Sequence, residues 1–136
     1  MTALLPGGDL TMPAGYTHNL VGIPLYLWED YRAALNHIRT ATRAETRIAN
    51  LLHGVAITGP TGRLSAFPAE SVTWLDVAPP DVEAQFIQAL EGAADSVVVW
   101  APTDEHLGQR PRLVSLVRRL YEPEARFGDV EIWRRR

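Results

Sequence analysis

The chain has 136 residues, 46% of them hydrophobic and 21% charged, which fits one globular domain with one core and excludes extensive disorder. Its formal net charge is −3, which argues against a nucleic-acid partner, and the absence of cysteine excludes disulfides, thiolate metal sites and a cysteine nucleophile. All 13 basic residues are arginine, so neither a Schiff-base lysine nor a P-loop lysine is possible.

Residues 1–19 hold Pro6, Gly7, Gly8, Pro13 and Gly15 and read as an irregular lead-in, with 20–136 as a single α/β domain. The lead-in lacks the basic region and continuous apolar core of a signal peptide. The apolar stretch Leu20 to Trp28 is interrupted by Gly22 and Pro24 and falls short of the roughly 18 residues that span a bilayer. Residues 24–42 predict the first helix: Pro24 suits its first turn, and Trp28, Tyr31, Leu35, Ile38 and Thr42 draw one stripe at three- and four-residue steps. Glu29 and Asp30 near its start and Arg39 and Arg43 near its end complement the helix dipole.

Thr46 to Leu52 reads as a strand, the alternative being a continuation of the helix. Val55 to Thr58 reads as a short strand or extended arm. Glu70 to Val77 has no settled period. Pro79-Pro80-Asp81 is a stop, with Asp81 expected to cap the second helix at 82–93, whose Val82, Phe86, Ile87 and Leu90 share a face and which Gly92 ends. The β-branched run Ser96 to Ala101 predicts a central strand buried on both faces. Residues 103–110 read as a polar loop, Pro111 opens a third helix through Tyr121, and Pro123 stops it. Val130 to Trp133 alternates as a closing, half-exposed strand suited to a sheet edge, and Arg134-Arg135-Arg136 reads as a solvated tail. The fold class expected is α/β: a small mixed sheet of about four strands with helices packed on its faces.

The segment Ile57 to Ser71 is the richest in chemistry. It places Gly59, Thr61, Gly62, Arg63, Ser65 and Glu70 in one loop between apolar runs, and ordered loops on a rigid scaffold often carry binding groups. Arg63, with the N–H groups of Gly59 and Gly62, would suit a phosphate or a sugar hydroxyl. The plainer alternative is an Arg63–Glu70 ion pair that pins the loop. The glycine pattern is neither GxGxxG nor Walker A.

No catalytic residue, metal ligand or cofactor is assigned. His18, His37, His53 and His106 lack metal-ligand spacing, and Glu29/Asp30, Asp104/Glu105 and Glu122/Glu124 are read as surface carboxylates. No Gly-x-Ser-x-Gly elbow occurs. Trp28, Trp74, Trp100 and Trp133 each fall inside an expected element and read as core or sheet-face residues.

Three pieces carry a resemblance over residues 24–136. They are the helix from Trp28-Glu29-Asp30-Tyr31 with Thr42 and Thr46-Arg47-Ile48-Ala49-Asn50; the stretch Thr61-Gly62-Arg63 leading to Pro68-Ala69-Glu70-Ser71; and the strand Val97 to Trp100 with a helix ending at Tyr121 and the closing Phe127-Gly128-Asp129-Val130-Glu131-Ile132-Trp133-Arg134. In these the chain resembles the C-terminal extracytoplasmic domain of bacterial polytopic, lipid-sugar-dependent glycosyltransferases. There the catalytic acids lie in the membrane portion, so the resemblance brings no catalytic residue to this chain. It implies an accessory domain on the extracytoplasmic face, with a membrane-embedded glycosyltransferase portion and a lipid-linked sugar as partners. The alternative expectation is a stand-alone α/β module that recognises a phosphate- or sugar-like anion through Arg63, in the cytoplasm. A small hydrolase or transferase would need a converging nucleophile and base.

Overall fold

Five consecutive buried residues, Ser96–Trp100, form strand β2, an inner strand that organises the fold. The structure is a computed structural model and describes residues 28–136 apart from Gly54. Its elements in chain order are α1 (Trp28–Ala41), β1 (Arg47–Asn50), α2 (Thr58–Thr61), a 3-10 turn (Val72–Asp76), α3 (Val82–Gly92) and β2. A second 3-10 turn (Glu105–Gln109), α4 (Pro111–Leu120), β3 (Tyr121–Phe127) and β4 (Val130–Arg135) follow. One mixed four-stranded sheet has the order β1-β2-β4-β3, as the composition and alternation of elements predict.

β1 runs parallel to β2 with Ile48 opposite Val97, and β4 runs antiparallel to β2 with Trp133 opposite Val98. Successive β2 side chains point to opposite faces. Val97 and Val99 therefore pack with Ala34, Leu35 and Ile38 of α1, while Val98 and Trp100 pack with Phe86 and Leu90 of α3 and Leu113 and Val117 of α4. The result is three layers, with α1 on one face of the sheet and α3 and α4 on the other. A continuous β-branched run in β2 is what burial on both faces requires.

Trp100 and Trp133 meet edge to face with centroids 5.1 Å apart, and the Arg118 guanidinium lies over both rings. The outer edge of β1 is covered by the chain around Ser65: Ile48 N–H donates to Leu64 O at 2.9 Å and Ala66 N–H to Ile48 O at 2.8 Å.

Several expectations need correction. The strand Val130 to Trp133 is not an edge: it extends to Arg135 and lies between β2 and β3. The missed strand is β3, because Tyr121-Glu122-Pro123-Glu124 reads as a helix stop. Pro123 is accommodated where the ladder shifts register between Pro123 and Ala125, on a strand that has no outer neighbour among the described residues. The β3–β4 hairpin turns at Gly128, whose φ of 62° is the left-handed conformation a tight turn needs.

The polar loop 103–110 contains the second 3-10 turn, with Leu107 buried and the Asp104 carboxylate accepting from the His106 N–H. The arm Val55 to Thr58 is not a strand; its last residue opens α2. Asp81 occupies the cap position of α3, but its side chain makes no capping bond. Of the tryptophans, Trp100 and Trp133 are buried whereas Trp74 is half exposed. The parts of the expected first helix and domain at 20–27, and the lead-in 1–19, lie outside the described residues.

Of the terminal arginines, Arg136 is exposed as expected of a solvated tail, but Arg134 and Arg135 are not. Arg134 donates to Ala41 O at 2.7 Å and binds Glu124, and Arg135 donates to Leu90 O at 2.9 Å and Glu91 O at 3.2 Å, closing the end of α3. Helix ends leave carbonyls without intrahelical partners, and a guanidinium in a fixed fork serves several at once.

Candidate functional site

The loop singled out in the sequence is assembled by its own polar groups. Glu70 caps α2: its Oε1 accepts from Ile57 N at 2.6 Å and Thr58 N at 3.0 Å, and Thr58 Oγ1 donates to its other oxygen. Thr61 is buried and its hydroxyl donates to Ile57 O at 2.8 Å. Gly62 ends α2 at a φ of 70°, with its N–H donating to Thr58 O at 2.9 Å. Gly59 is exposed in the same turn. Ser65 donates to Ala69 O at 2.7 Å and accepts from Phe67 N.

Arg63 turns away from the loop. Its guanidinium donates to Arg39 O at 3.1 Å, Thr42 O at 3.0 Å, Thr61 O at 2.9 Å and Thr42 Oγ1 at 3.3 Å, so it closes the C-terminus of α1. Arg63 and Glu70 do not pair with each other; each holds a helix end. The six residues are brought into one stretch of the fold, and the groups by which Arg63 and Glu70 would grip a ligand already serve the backbone.

A second cluster converges at the carboxyl ends of the two parallel strands, where open α/β sheets place their ligand crevices. His53 follows β1 by three residues, and His106 lies on the turn that follows β2. His53 Nε2 is 2.6 Å from Asp76 Oδ2, and Arg110 Nη2 donates to Asp76 Oδ1 at 3.3 Å. The His53 and His106 rings are stacked, with centroids 4.0 Å apart and planes within 5°. The hydrogen bond from His53, followed by Arg110, holds the Asp76 carboxyl below the ordinary range. Arg110 is the most covered member, its side chain 20% exposed.

Asp76 sits between the exposed Trp74 and Val77 on the rim of an apolar bowl of about 470 Å³ that Ala69, Glu70 and Ser71 also line. His53, Asp76, His106 and Arg110 are scattered along the sequence and make no local motif. The legible signal was topological: both histidines follow strands at the same end of the sheet.

A third cluster lies near the end of β2. Asp30, Tyr31, Thr103, Asp104 and Asp129 surround a depression of about 240 Å³. Burial, and then the charges of Asp104, Asp129 and Asp30, push the Tyr31 hydroxyl above its ordinary pKa. Among the described residues no group of three or more histidine or carboxylate side chains is arranged to hold a metal ion, and no helix is long and apolar enough to cross a membrane. No protein-family model matches the chain, and no curated protein or solved structure shows significant similarity to it.

Proposed function

We propose that this chain is a non-catalytic accessory domain that works beside a membrane-embedded, lipid-sugar-dependent glycosyltransferase portion, the role its resemblance implies. The supporting observation is that the pieces carrying the resemblance depend on one another. Arg63 from the middle piece and Arg134 from the last both donate to carbonyls at the end of α1, the first piece. The closing strand pairs along Val97 to Trp100. Residues far apart in sequence are thus required together by one framework, as expected when a likeness of short pieces reflects a shared fold. The half-exposed Trp74 and the exposed Val77 offer an apolar contact for such a partner. The alternative, a stand-alone anion-binding module centred on Arg63, has less support, because Arg63 is engaged by backbone carbonyls.

Fractionation of the native gene product, expressed from its own locus and probed with an antibody to residues 24–136, tests the proposal. The expected result is a membrane-bound band far above the 15.1 kDa of this chain. A soluble band at that mass overturns it.

A further inference from the structure

We propose that His53, His106 and Arg110, gathered around Asp76, form a binding site for a phosphate-type anion. The inference does not depend on the glycosyltransferase reading. It rests on convergence: the groups come from the segment after β1, the first 3-10 turn, the second 3-10 turn and the entrance to α4. They meet at the carboxyl end of the parallel strand pair.

The donors outnumber their acceptors. Asp76 offers one carboxylate, with one oxygen taken by His53 and the other by Arg110. Arg110 uses a single Nη on Asp76, and among the described residues its Nε and Nη1 groups make no other hydrogen bond although the side chain is largely covered. The His106 ring has no polar partner among the described residues and rests flat on His53. A guanidinium and two imidazoles supply donors from several directions, the arrangement that suits tetrahedral phosphate oxygens. Asp76 is a positioning residue: it holds His53 and Arg110 in place, and the ligand takes their remaining donors.

With both imidazoles neutral, Arg110 and Asp76 cancel. The neighbouring carboxylates are Glu70 on the bowl, Asp104, which is engaged by the His106 N–H, and the exposed Glu105.

The exposed Trp74 and Val77 flank Asp76, so a phosphate could arrive free in solution or as a lipid headgroup. Titration of the full chain with inorganic phosphate, followed by imidazole NMR resonances, and co-sedimentation with phosphatidylcholine vesicles containing phosphatidylglycerol separate the two sources. The expected result is that phosphate shifts the His53 and His106 resonances and that His106→Ala and Arg110→Gln each weaken binding about tenfold. Vesicle binding lost in both Trp74→Ala and Arg110→Gln assigns the lipid source, and phosphate binding without vesicle binding assigns the free anion; both support the site. The proposal is overturned if phosphate to about 10 mM and anionic vesicles both leave the chain unbound, a range that covers weak millimolar sites. It is equally overturned if His106→Ala and Arg110→Gln bind as the parent does.

Discussion

Arg63 meets Thr42 twice: its Nη2 donates to the Thr42 carbonyl at 3.0 Å and its Nε to the Thr42 hydroxyl at 3.3 Å. The same guanidinium reaches Arg39 O, so one side chain from the loop satisfies the open end of α1. Replacing Arg63 with alanine is expected to lower stability by about 1–2 kcal/mol, the scale of charge-assisted hydrogen bonds lost at a partly buried helix end. Urea unfolding of the two chains measures it. An unchanged midpoint would show that water serves those carbonyls as well.

Gly128 carries a different constraint. A Cβ at this position would overlap the Asp30 carboxylate, and the φ of 62° disfavours any L side chain. Gly128→Ala is expected to destabilise by about 1–3 kcal/mol. Adding Asp30→Ala should restore the steric part but not the backbone part. A double-mutant cycle reads the difference, and strict additivity would refute the contact.

Three carboxylates set the acid limit. Asp76 is held below its ordinary pKa first by the hydrogen bond from His53, Asp95 by that from Arg43 and then Thr46, and Glu124 by that from Arg134. Each is depressed on folding, so its stabilising contribution is present above the unfolded carboxylate pKa of about 4 and is lost as pH falls toward the folded value. Melting temperature should hold steady from neutrality to that point and then fall. Glu124→Gln should flatten part of the fall; an acid limb identical to the parent's would exclude Glu124 as a contributor.

Tyr121 sets the alkaline limit. Its hydroxyl is buried against Ser96, and burial pushes its pKa up from 10.0 despite the opposing bonds to Ser96 and Arg135. Because the folded pKa is raised, stability is intact below the unfolded value and declines as pH rises through it toward the folded one. Ultraviolet titration should show Tyr121 and Tyr31 ionising later than free tyrosine, and Tyr121→Phe should cost about 1–2 kcal/mol by leaving Ser96 with fewer partners. A single ordinary tyrosine titration would contradict both.

Local pattern alone determined the mixed α/β class, the core of α1, β1, α3, β2 and the start of α4. Period 3.6 in Leu35 and Ile38, a β-branched run in Val97 to Val99, and prolines or glycines at the boundaries are short-range signals that burial then satisfies. The same residues could not say that Tyr121 to Phe127 is a strand. Its backbone conformation is stabilised by β4, its sheet partner among the described residues, and pairing between segments leaves little mark in either one. The sequence also drew attention to Arg63 and Glu70 for their chemistry, yet whether a guanidinium faces a ligand or a helix end depends on which carbonyls lie within reach. Only the tertiary structure brought Arg63 to α1 and Arg135 to α3, and joined His53 to Asp76 and Arg110. Hydrogen bonds act over about 3 Å, and contacts of that range between distant residues are decided by the packing of whole elements.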